Sequence, residues 1–140
     1  MHNGEVATMT FDTYSKARQH LKDVLDAAAS GRPVVVRRDN IATAVVDADR
    51  LRRLLGQGYP RPEVVSEAGG WSVFIPGVPV AADGATFEEA LGEMADALRE
   101  YAEEWEGGLR HAPHHRDNWP LVQLVGLSSD QQLVDWIAGA

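Results

Sequence analysis

The sequence contains no cysteine among its 140 residues. This absence excludes disulfide bonds, zinc sites built from thiolates and cysteine nucleophiles. Apolar runs of about 18 residues are also lacking, so we expect no segment that spans a membrane. The N-terminal stretch MHNGEVATMTFD does not place an apolar core after a basic start. We therefore expect no signal peptide and a cytoplasmic protein.

Positive charge is scarce overall but is unevenly distributed. The formal net charge is −8, with 13 Lys/Arg against 21 Asp/Glu. Residues 1–56 carry nine Lys/Arg against seven Asp/Glu, a net of +2, whereas residues 57–140 carry four against fourteen, a net of −10. A change of sign between halves indicates two modules with different partners. Because phosphate contact needs only local positive charge, the first half is a candidate for binding nucleic acid.

Glycine and proline are densest at residues 56–62, which have the sequence GQGYPRP. Glycine lowers helix stability through its backbone freedom, and proline removes a hydrogen-bond donor. We therefore predict a linker here. It separates a domain over residues 1–56 from a second domain over residues 62–140. Both domains mix strand and helix patterns, so the expected fold class is α+β.

The first module begins with a strand and a helix. Val6–Phe11 alternates loosely, as an edge strand does. Thr13 or Ser15 can cap a following helix by accepting a hydrogen bond from a free backbone N–H group. Apolar residues then recur at helical spacing until Gly31, which stands where a helix commonly ends on a glycine.

A hairpin and a second helix complete this module. Pro33–Val36 and Ile41–Val46 are apolar and rich in β-branched residues, so they predict two paired strands. The turn between them contains Asn40, a residue type that tolerates a positive φ. A short helix ending near Leu55 follows, which gives the order β-α-β-β-α.

The second module starts with strands. Glu63–Ser66 and Trp71–Ile75 predict two strands paired around a glycine turn, and Val80–Ala82 predicts a short third strand. Leu121–Leu127 is a nearly continuous apolar run, from which we predict a further strand. The expected architecture is a small antiparallel sheet with packed helices.

Two helices are predicted in this second module. Thr86 followed by Glu89 has the spacing of a capping box, and the apolar residues after it form an amphipathic stripe that ends before Gly107. Ser128 or Ser129 can cap the last helix.

Three stretches of the first module carry a family resemblance: TFDTYSKARQHL at residues 10–21, ASGRPVVVRR at 29–38 and AVV at 44–46. This order resembles the Phd/YefM antitoxin family over about forty-five residues. The family pattern is a strand, A-R-x-x-L opening a helix, a glycine, a β-run that ends in a basic turn, and A-V-hydrophobic. The family usually has a glycine after the basic pair, whereas this chain has Asp39-Asn40.

The resemblance implies a module that dimerises through its sheet and places the start of its first helix against operator DNA. The arginine of A-R-x-x-L is Arg18, which an exposed first turn can bring to a phosphate or a guanine edge. Hydroxyl groups of the same turn can contact phosphates, and the basic pair at the hairpin is a second expected contact. The expected DNA-binding residues are Thr13, Ser15, Lys16, Arg18, Arg37 and Arg38.

Stretches of the second module carry another resemblance: GWSVFIP at residues 70–76, ADGATFEEAL at 82–91 and ALREY at 97–101. They resemble the HicB antitoxin domain, although no glycine follows Pro79 as it does in that family. The resemblance implies a degraded ribonuclease-H-like scaffold that has no activity of its own and binds toxin. An acidic surface would complement a small basic ribonuclease. The expected toxin-binding residues are Glu100, Glu103, Glu104 and Trp105, although such a charged run can also be a solvated helix face.

The resulting hypothesis is an antitoxin of a type II toxin–antitoxin system. It would bind its toxin directly, repress its own operon by binding operator DNA, form a homodimer or a higher oligomer, catalyse nothing and need no cofactor. One alternative is a dimeric interaction protein that does not bind DNA. Another is a metal-dependent nuclease that uses Asp83, Glu88 and Glu89. A metal site at His111, His114 and His115 stays open, because imidazole suits zinc or nickel but the spacing is irregular.

Overall fold

The computed structural model describes residues 8–139, which form six α-helices and two three-stranded sheets. The predicted α+β class is confirmed. The chain divides into two compact units between Leu51 and Arg52. No helix within residues 8–139 combines the length and the apolar character that crossing a membrane requires.

The first unit contains one mixed sheet, whose strand order is β1-β2-β3. Strand β1 is parallel to β2, and β2 is antiparallel to β3. Of the predicted strand Val6–Phe11, residues 6 and 7 lie outside the described residues, and the strand observed begins at Met9. The elements are β1 (Met9–Phe11), α1 (Tyr14–Gln19), α2 (Leu21–Ala29), β2 (Val34–Arg38), β3 (Ile41–Val45) and the beginning of α3 (Ala48–Gly58).

The single helix predicted before Gly31 is interrupted at His20. This residue takes a non-helical conformation (φ −113°, ψ 29°) and ends α1 while it precedes α2. Its ring stacks on Phe11 with 5.8 Å between ring centroids, which ties the break to β1. The observed order is therefore β-α-α-β-β-α. Gly31 follows the end of α2 with φ +86°, as the sequence predicts.

The hairpin turn differs from the prediction in one residue. Arg38 pairs with Ile41, which leaves a two-residue turn of Asp39 and Asn40. The positive φ (+55°) belongs to Asp39 and not to Asn40. Aspartate, like asparagine, visits the left-handed region more readily than other non-glycine residues.

The second unit contains an antiparallel sheet of order β4-β5-β6. The third strand begins one residue later than predicted and continues to Gly84. Two short 3-10 turns, Leu109–His111 and Arg116–Asn118, stand where a polar loop is predicted. The elements are β4 (Glu63–Glu67), β5 (Gly70–Phe74), β6 (Ala81–Gly84), α4 (Phe87–Gly107), α5 (Trp119–Leu127) and α6 (Asp130–Ala138).

The strand predicted at Leu121–Leu127 is wrong, because these residues form helix α5. The buried residues of this helix follow a helical pattern, whereas Gln123 and Gly126 are exposed. A short apolar run has no clear period of its own, so the choice between strand and helix depends on the surroundings. Pro120 in the first turn favours a helix start, because its missing N–H has no partner there. The buried positions are Leu121, Val122, Leu124 and Val125.

Helix α3 also differs, because it continues past the predicted end near Leu55 and includes Gly56 and Gly58. A Cβ atom at Gly56 would lie 3.3 Å from Cδ1 of Trp136. The indole N–H of Trp136 donates a 3.1 Å hydrogen bond to the carbonyl oxygen of Gly56. The glycine thus lets the ring approach this helix, and the contact offsets the low helix propensity of glycine.

Helix α4 organises the core of the second unit. Thr86 caps it as predicted, accepting a 3.1 Å hydrogen bond from the N–H of Glu89. The Glu89 carboxylate accepts in return from the N–H of Ala85, one residue before the cap. The stripe that faces the sheet is buried, and its members are Ala90, Leu91, Met94, Leu98 and Tyr101.

Strand β6 and helix α4 approach each other most closely at Gly84. A Cβ atom built there would lie 2.4 Å from the backbone nitrogen of Ala90 and 2.8 Å from its Cα. Both atoms belong to the helix backbone, so no side-chain rotation can relieve the overlap. Glycine at this position is therefore a packing requirement.

The α5–α6 junction is held by Arg99 of α4. Its guanidinium donates to the carbonyl oxygens of Val125 (2.7 Å) and Ser128 (2.9 Å) and to the carboxylate of Asp130 (2.8 Å). The side chain of Arg99 is 33% exposed, whereas that of Asp130 is 95% exposed. The two carbonyl bonds therefore contribute more to stability than the solvent-screened ion pair.

We expect Gly84→Ala to lower the free energy of unfolding by roughly 1–3 kcal/mol, because the new methyl group overlaps helix backbone. Gly92→Ala is the matched control: Gly92 lies inside α4 with nothing within 4 Å of an added Cβ. This control should stabilise the protein by about 0.5–1 kcal/mol. Urea unfolding measures both, and equal effects of the two substitutions would contradict the packing requirement.

Arg99→Met keeps much of the aliphatic stem but removes the donors, so we expect a loss of about 2 kcal/mol in unfolding free energy. Asp130→Asn removes only the exposed charge and should cost less than about 1 kcal/mol. Thermal and urea unfolding of both variants give the comparison. A larger effect from Asp130→Asn would mean that the ion pair is the dominant contact.

Candidate functional site

The start of helix α1 presents an exposed polar surface in the first unit. Thr13 is the N-cap, and its hydroxyl accepts a 3.2 Å hydrogen bond from the N–H of Lys16. Ala17 is buried in the same helix, which fixes the helix on the unit. The exposed polar side chains around the start of α1 and along it are Thr13, Ser15, Lys16 and Arg18, and we call them the α1 cluster.

Two cations near this surface have different surroundings. Lys22, on α2, donates a 2.7 Å hydrogen bond to Asp26, and this bond together with the carboxylate charge raises the pKa of Lys22. Arg18 is exposed, and it lies in the last turn of α1 rather than in the first turn as expected, because the helix ends at Gln19. Helix α1 itself contains no acidic residue. The side chain of Arg18 is thus available to an external anion, whereas that of Lys22 is engaged.

Arg37 and Arg38 are the last two residues of β2, and both are exposed. Successive side chains of a strand point to opposite faces of the sheet. A single flat surface therefore cannot use both arginines equally. The structure therefore does not place Arg37 and Arg38 on the same face of the sheet.

The first unit leaves several large apolar side chains exposed. Among its described residues, the buried apolar side chains are Ala17, Val24, Ala27, Ala28 and Val34, and Val24, Ala27 and Val34 form its core cluster with a few half-buried neighbours. Strand β3 pairs with β2 alone in the described sheet, and its first four residues are exposed. The large exposed side chains include Tyr14 (57%), Leu21 (53%), Leu25 (55%) and Ile41 (68%). Leu21 and Leu25 are four residues apart on α2 and therefore share one helix face, and adjoining exposed apolar side chains are typical of a protein interface.

A groove between β6 and α4 concentrates negative charge in the second unit. It consists of two adjoining cavities of about 360 and 200 Å3, which share Ala81, Ala97 and Glu100. No Lys or Arg lines either cavity. We call it the acidic groove and define it by its carboxylates: Asp83, Glu93, Asp96, Glu100 and Glu104.

The structure separates the four residues predicted to bind toxin. Glu100 and Glu104 line the acidic groove, whereas Glu103 is exposed outside its lining. Trp105 is half-buried, and its indole N–H donates a 2.9 Å hydrogen bond to the carbonyl oxygen of His115. Trp105 thus supports the fold of its own unit.

Sequence reasoning missed Asp83, Glu93 and Asp96 as partners of Glu100 in this groove. Glu93, Asp96 and Glu100 recur at intervals of three and four residues, so they share one side of a helix. That spacing could have identified the helical side of the groove. The contribution of Asp83 depends on the packing of β6 against α4, which no local pattern contains.

The histidine loop is engaged in internal contacts. The hydroxyl of Tyr101 lies 2.9 Å from Nδ1 of His115 and accepts a 2.8 Å hydrogen bond from the side chain of Asn118. His111 and His114 are exposed. Within residues 8–139, no three His, Cys, Asp or Glu side chains are grouped so that they could hold a metal ion.

The carboxylates considered for nuclease chemistry have structural partners. Glu89 accepts the N–H of Ala85 at the start of α4. Ser72 Oγ lies 2.6 Å from an oxygen of Asp83 and 2.7 Å from one of Glu67. The two carboxylates therefore share the single hydroxyl proton of Ser72 as their hydrogen-bond donor. Glu88 is exposed in the first turn of α4, where the helix dipole favours a negative charge.

The fold has a counterpart among solved structures. The fold is similar to the crystal structure of the antitoxin part of a candidate toxin/antitoxin system from Syntrophomonas wolfei subsp. wolfei, with a TM-score of 0.73 and 19% identity over 93% of this chain and 95% of that chain. At this identity the similarity concerns the fold alone. None of the curated proteins matches the chain.

The sequence itself matches a family model over residues 9–136, which includes most of both units. The model is that of the PHD-like proteins, described as antitoxins of toxin–antitoxin systems, RelE/RelB. These antitoxins are not enzymes, in agreement with the expectation from the sequence. The chain therefore belongs to the PHD-like family of antitoxins.

Proposed function

We propose that this antitoxin represses its own operon by binding operator DNA with the α1 cluster, and that it neutralises its toxin by direct contact. Family membership implies a cognate toxin. The resemblance of the first unit to Phd/YefM antitoxins supports the assignment of DNA binding to residues 1–56. The resemblance of the second to HicB domains supports toxin binding by residues 62–140.

The exposed α1 cluster is the observation that carries the DNA-binding proposal. Its hydroxyl, ammonium and guanidinium groups are the donors that protein–DNA complexes use on phosphates. Arg18 can also reach a guanine edge, on which an arginine forms two hydrogen bonds. Arg37 and Arg38 are a second proposed contact, and we expect only one of them to face the DNA because they occupy opposite faces of the sheet.

A homodimer accounts for the exposed apolar residues of the first unit. Five buried apolar side chains among the described residues, three of them alanines, make a small core for an independent domain. A second copy that covers Leu21, Leu25 or Ile41 would remove their apolar surface from water. Two-fold symmetry of the protein would then match two half-sites in the operator. Operator binding also requires that the protein acts where the DNA is, in the cytoplasm.

The acidic groove supports binding of a basic toxin, which we propose to be a small ribonuclease. Like charges three or four residues apart destabilise a helix by a few tenths of a kcal/mol per pair. Glu93, Asp96 and Glu100 form such a series, and the groove lining contains no cation that compensates it. A cationic RNA-binding surface would compensate these charges and would be masked at the same time. Glu103 and Trp105, which lie outside the lining of the groove, remain proposed contacts.

Arg18→Ala should weaken operator binding by about 10- to 100-fold, because it removes one specific arginine contact. Lys22→Ala is the matched control, since it removes a cation that Asp26 already holds, and it should change the affinity by less than about threefold. Fluorescence anisotropy with promoter DNA measures both. Wild-type protein that does not bind its promoter, or an Arg18→Ala variant that binds unchanged, would favour the interaction protein without DNA binding.

Glu100→Gln with Glu104→Gln should slow toxin association about tenfold at low salt and reduce its dependence on ionic strength. Glu63→Gln with Asp117→Asn removes the same charge from exposed positions outside the groove and is the control. Stopped-flow association at two salt concentrations measures the difference. Equal slowing by the two double variants would mean that only the net charge of the unit matters.

A further inference from the structure

Strand β6 is an edge of its sheet that borders the acidic groove. It pairs with β5 on one side, and no other strand within residues 8–139 pairs with it. Ala81, Ala82 and Asp83 of β6 line the groove, and no residue of β5 does, so the groove lies on the unpaired side of the strand. An edge of this kind keeps a row of backbone N–H and C=O groups that can pair with a further strand.

Helix α4 runs antiparallel to β6 along this groove. Gly84, at the end of the strand, lies against Ala90 near the start of the helix. Ala81, at the start of the strand, shares both cavities with Glu100, which is further along the helix. The helical carboxylates of the acidic groove therefore follow the strand. A chain segment in the groove would have the β6 backbone on one side and these carboxylates on the other.

The walls of the groove leave room for such a segment. Ala81 and Ala82 of the strand and Ala97 of the helix line the cavity of about 360 Å3. A methyl side chain lets a neighbouring main chain approach closely, whereas a longer side chain would fill the groove. Both walls are therefore compatible with a backbone lying between them.

The two edges of this sheet differ in how well they are protected against pairing. Strand β4, the opposite edge, carries Glu63 and Glu67 at its two ends. Charged side chains on an edge strand are a common device against unwanted pairing. Strand β6 has alanine or glycine at three of its four positions, so its backbone is the more accessible of the two.

We propose that the toxin enters the acidic groove as an extended basic strand that pairs with the free edge of β6. The inference rests on the proposed toxin binding and specifies its form. Backbone hydrogen bonds to the edge provide affinity, and the alternate side chains of the added strand provide specificity.

The spacing of the carboxylates suits alternate basic residues. Glu93, Asp96 and Glu100 are separated by about 4.5 and 6 Å along the helix axis, at about 1.5 Å per residue. Every second residue of a strand points to the same face, about 6.7 Å further along. Lys or Arg at alternate positions of the added strand can therefore each reach a separate carboxylate.

A second copy of this chain fits the groove less well than a basic partner. Pairing of two β6 strands would bring the carboxylates of both copies together, and neither cavity is lined by a Lys or Arg that compensates them. Like charges that oppose each other across paired strands are destabilising. The charge of the groove thus favours the toxin.

Amide hydrogen exchange, measured by NMR, tests the added strand on the full-length protein, alone and with the purified product of the adjacent reading frame. Amides within Ala81–Gly84 that point away from β5 should exchange at least about tenfold more slowly in the complex, because a paired amide exchanges only when the pair opens. The protected amides should alternate, since every second N–H of the strand already faces β5. The opposite edge, β4, is the matched control and should keep its exchange rates.

A variant that narrows the groove gives a second measurement. Ala97→Leu places a longer side chain where the added strand would lie, and it should weaken toxin binding about tenfold. Ala102→Leu is the matched control, because it makes the same change at a half-buried position of α4 outside the groove lining. It should change the affinity by less than about threefold. Calorimetry measures both affinities, and circular dichroism checks that both variants are folded.

The outcomes separate this inference from the function on which it rests. Protection confined to β6, with weaker binding by Ala97→Leu than by Ala102→Leu, supports the added strand. Toxin binding that leaves β6 unprotected, or that protects β4 equally, overturns the added strand and leaves toxin binding itself intact. Equal affinities of the two folded variants also overturn it. Protection of β6 in the protein alone that is lost on dilution means that a second copy occupies the groove, which overturns it too. A wild-type protein that does not bind the neighbouring product overturns both proposals.

Discussion

The close packing of helix α4 on strand β6 is the constraint on which the second unit depends. Because Gly84 has no side chain, the backbone of α4 at Ala90 can lie against the strand. This contact determines which side of the helix is buried, and the stripe from Ala90 to Tyr101 forms the core with the sheet. It also determines which side lies along β6, where Glu93, Asp96 and Glu100 meet Asp83. The proposed toxin surface is therefore a consequence of the same packing that stabilises the unit.

The first unit follows a different principle, because it buries very little. Its described core cluster has three buried residues, against sixteen in the core cluster of the second unit, so its stability would depend more strongly on a partner copy. The α1 helix is fixed by one buried alanine, Ala17, and by the cap at Thr13. If dimerisation stabilises this unit, it also sets the spacing of two α1 clusters on DNA. Toxin affinity and operator affinity could then be coupled, and any such coupling acts equally in both directions.

Local signals in the sequence predicted much of the fold. The caps at Thr13, Thr86 and Ser129, the C′ glycine Gly31 and the hairpin all have short-range causes, and the structure contains them. The strand expected at Leu121–Leu127 failed because an apolar run that becomes buried suits either kind of element. The helix break at His20 coincides with a ring contact to Phe11 of β1, which the helical pattern does not include. The acidic groove was predicted only in part, since it joins residues of β6 and α4 through packing that no local pattern contains.

Direct binding of a toxin is the central claim, and co-purification with the product of the reading frame adjacent to this gene tests it most directly. Both proteins would be expressed from unrelated promoters, so that repression of the operon cannot influence the result. The account predicts that the neighbouring product alone arrests growth, that the pair permits growth, and that a tagged antitoxin isolates both proteins as one complex. A folded antitoxin that purifies alone from cells that remain arrested would contradict it.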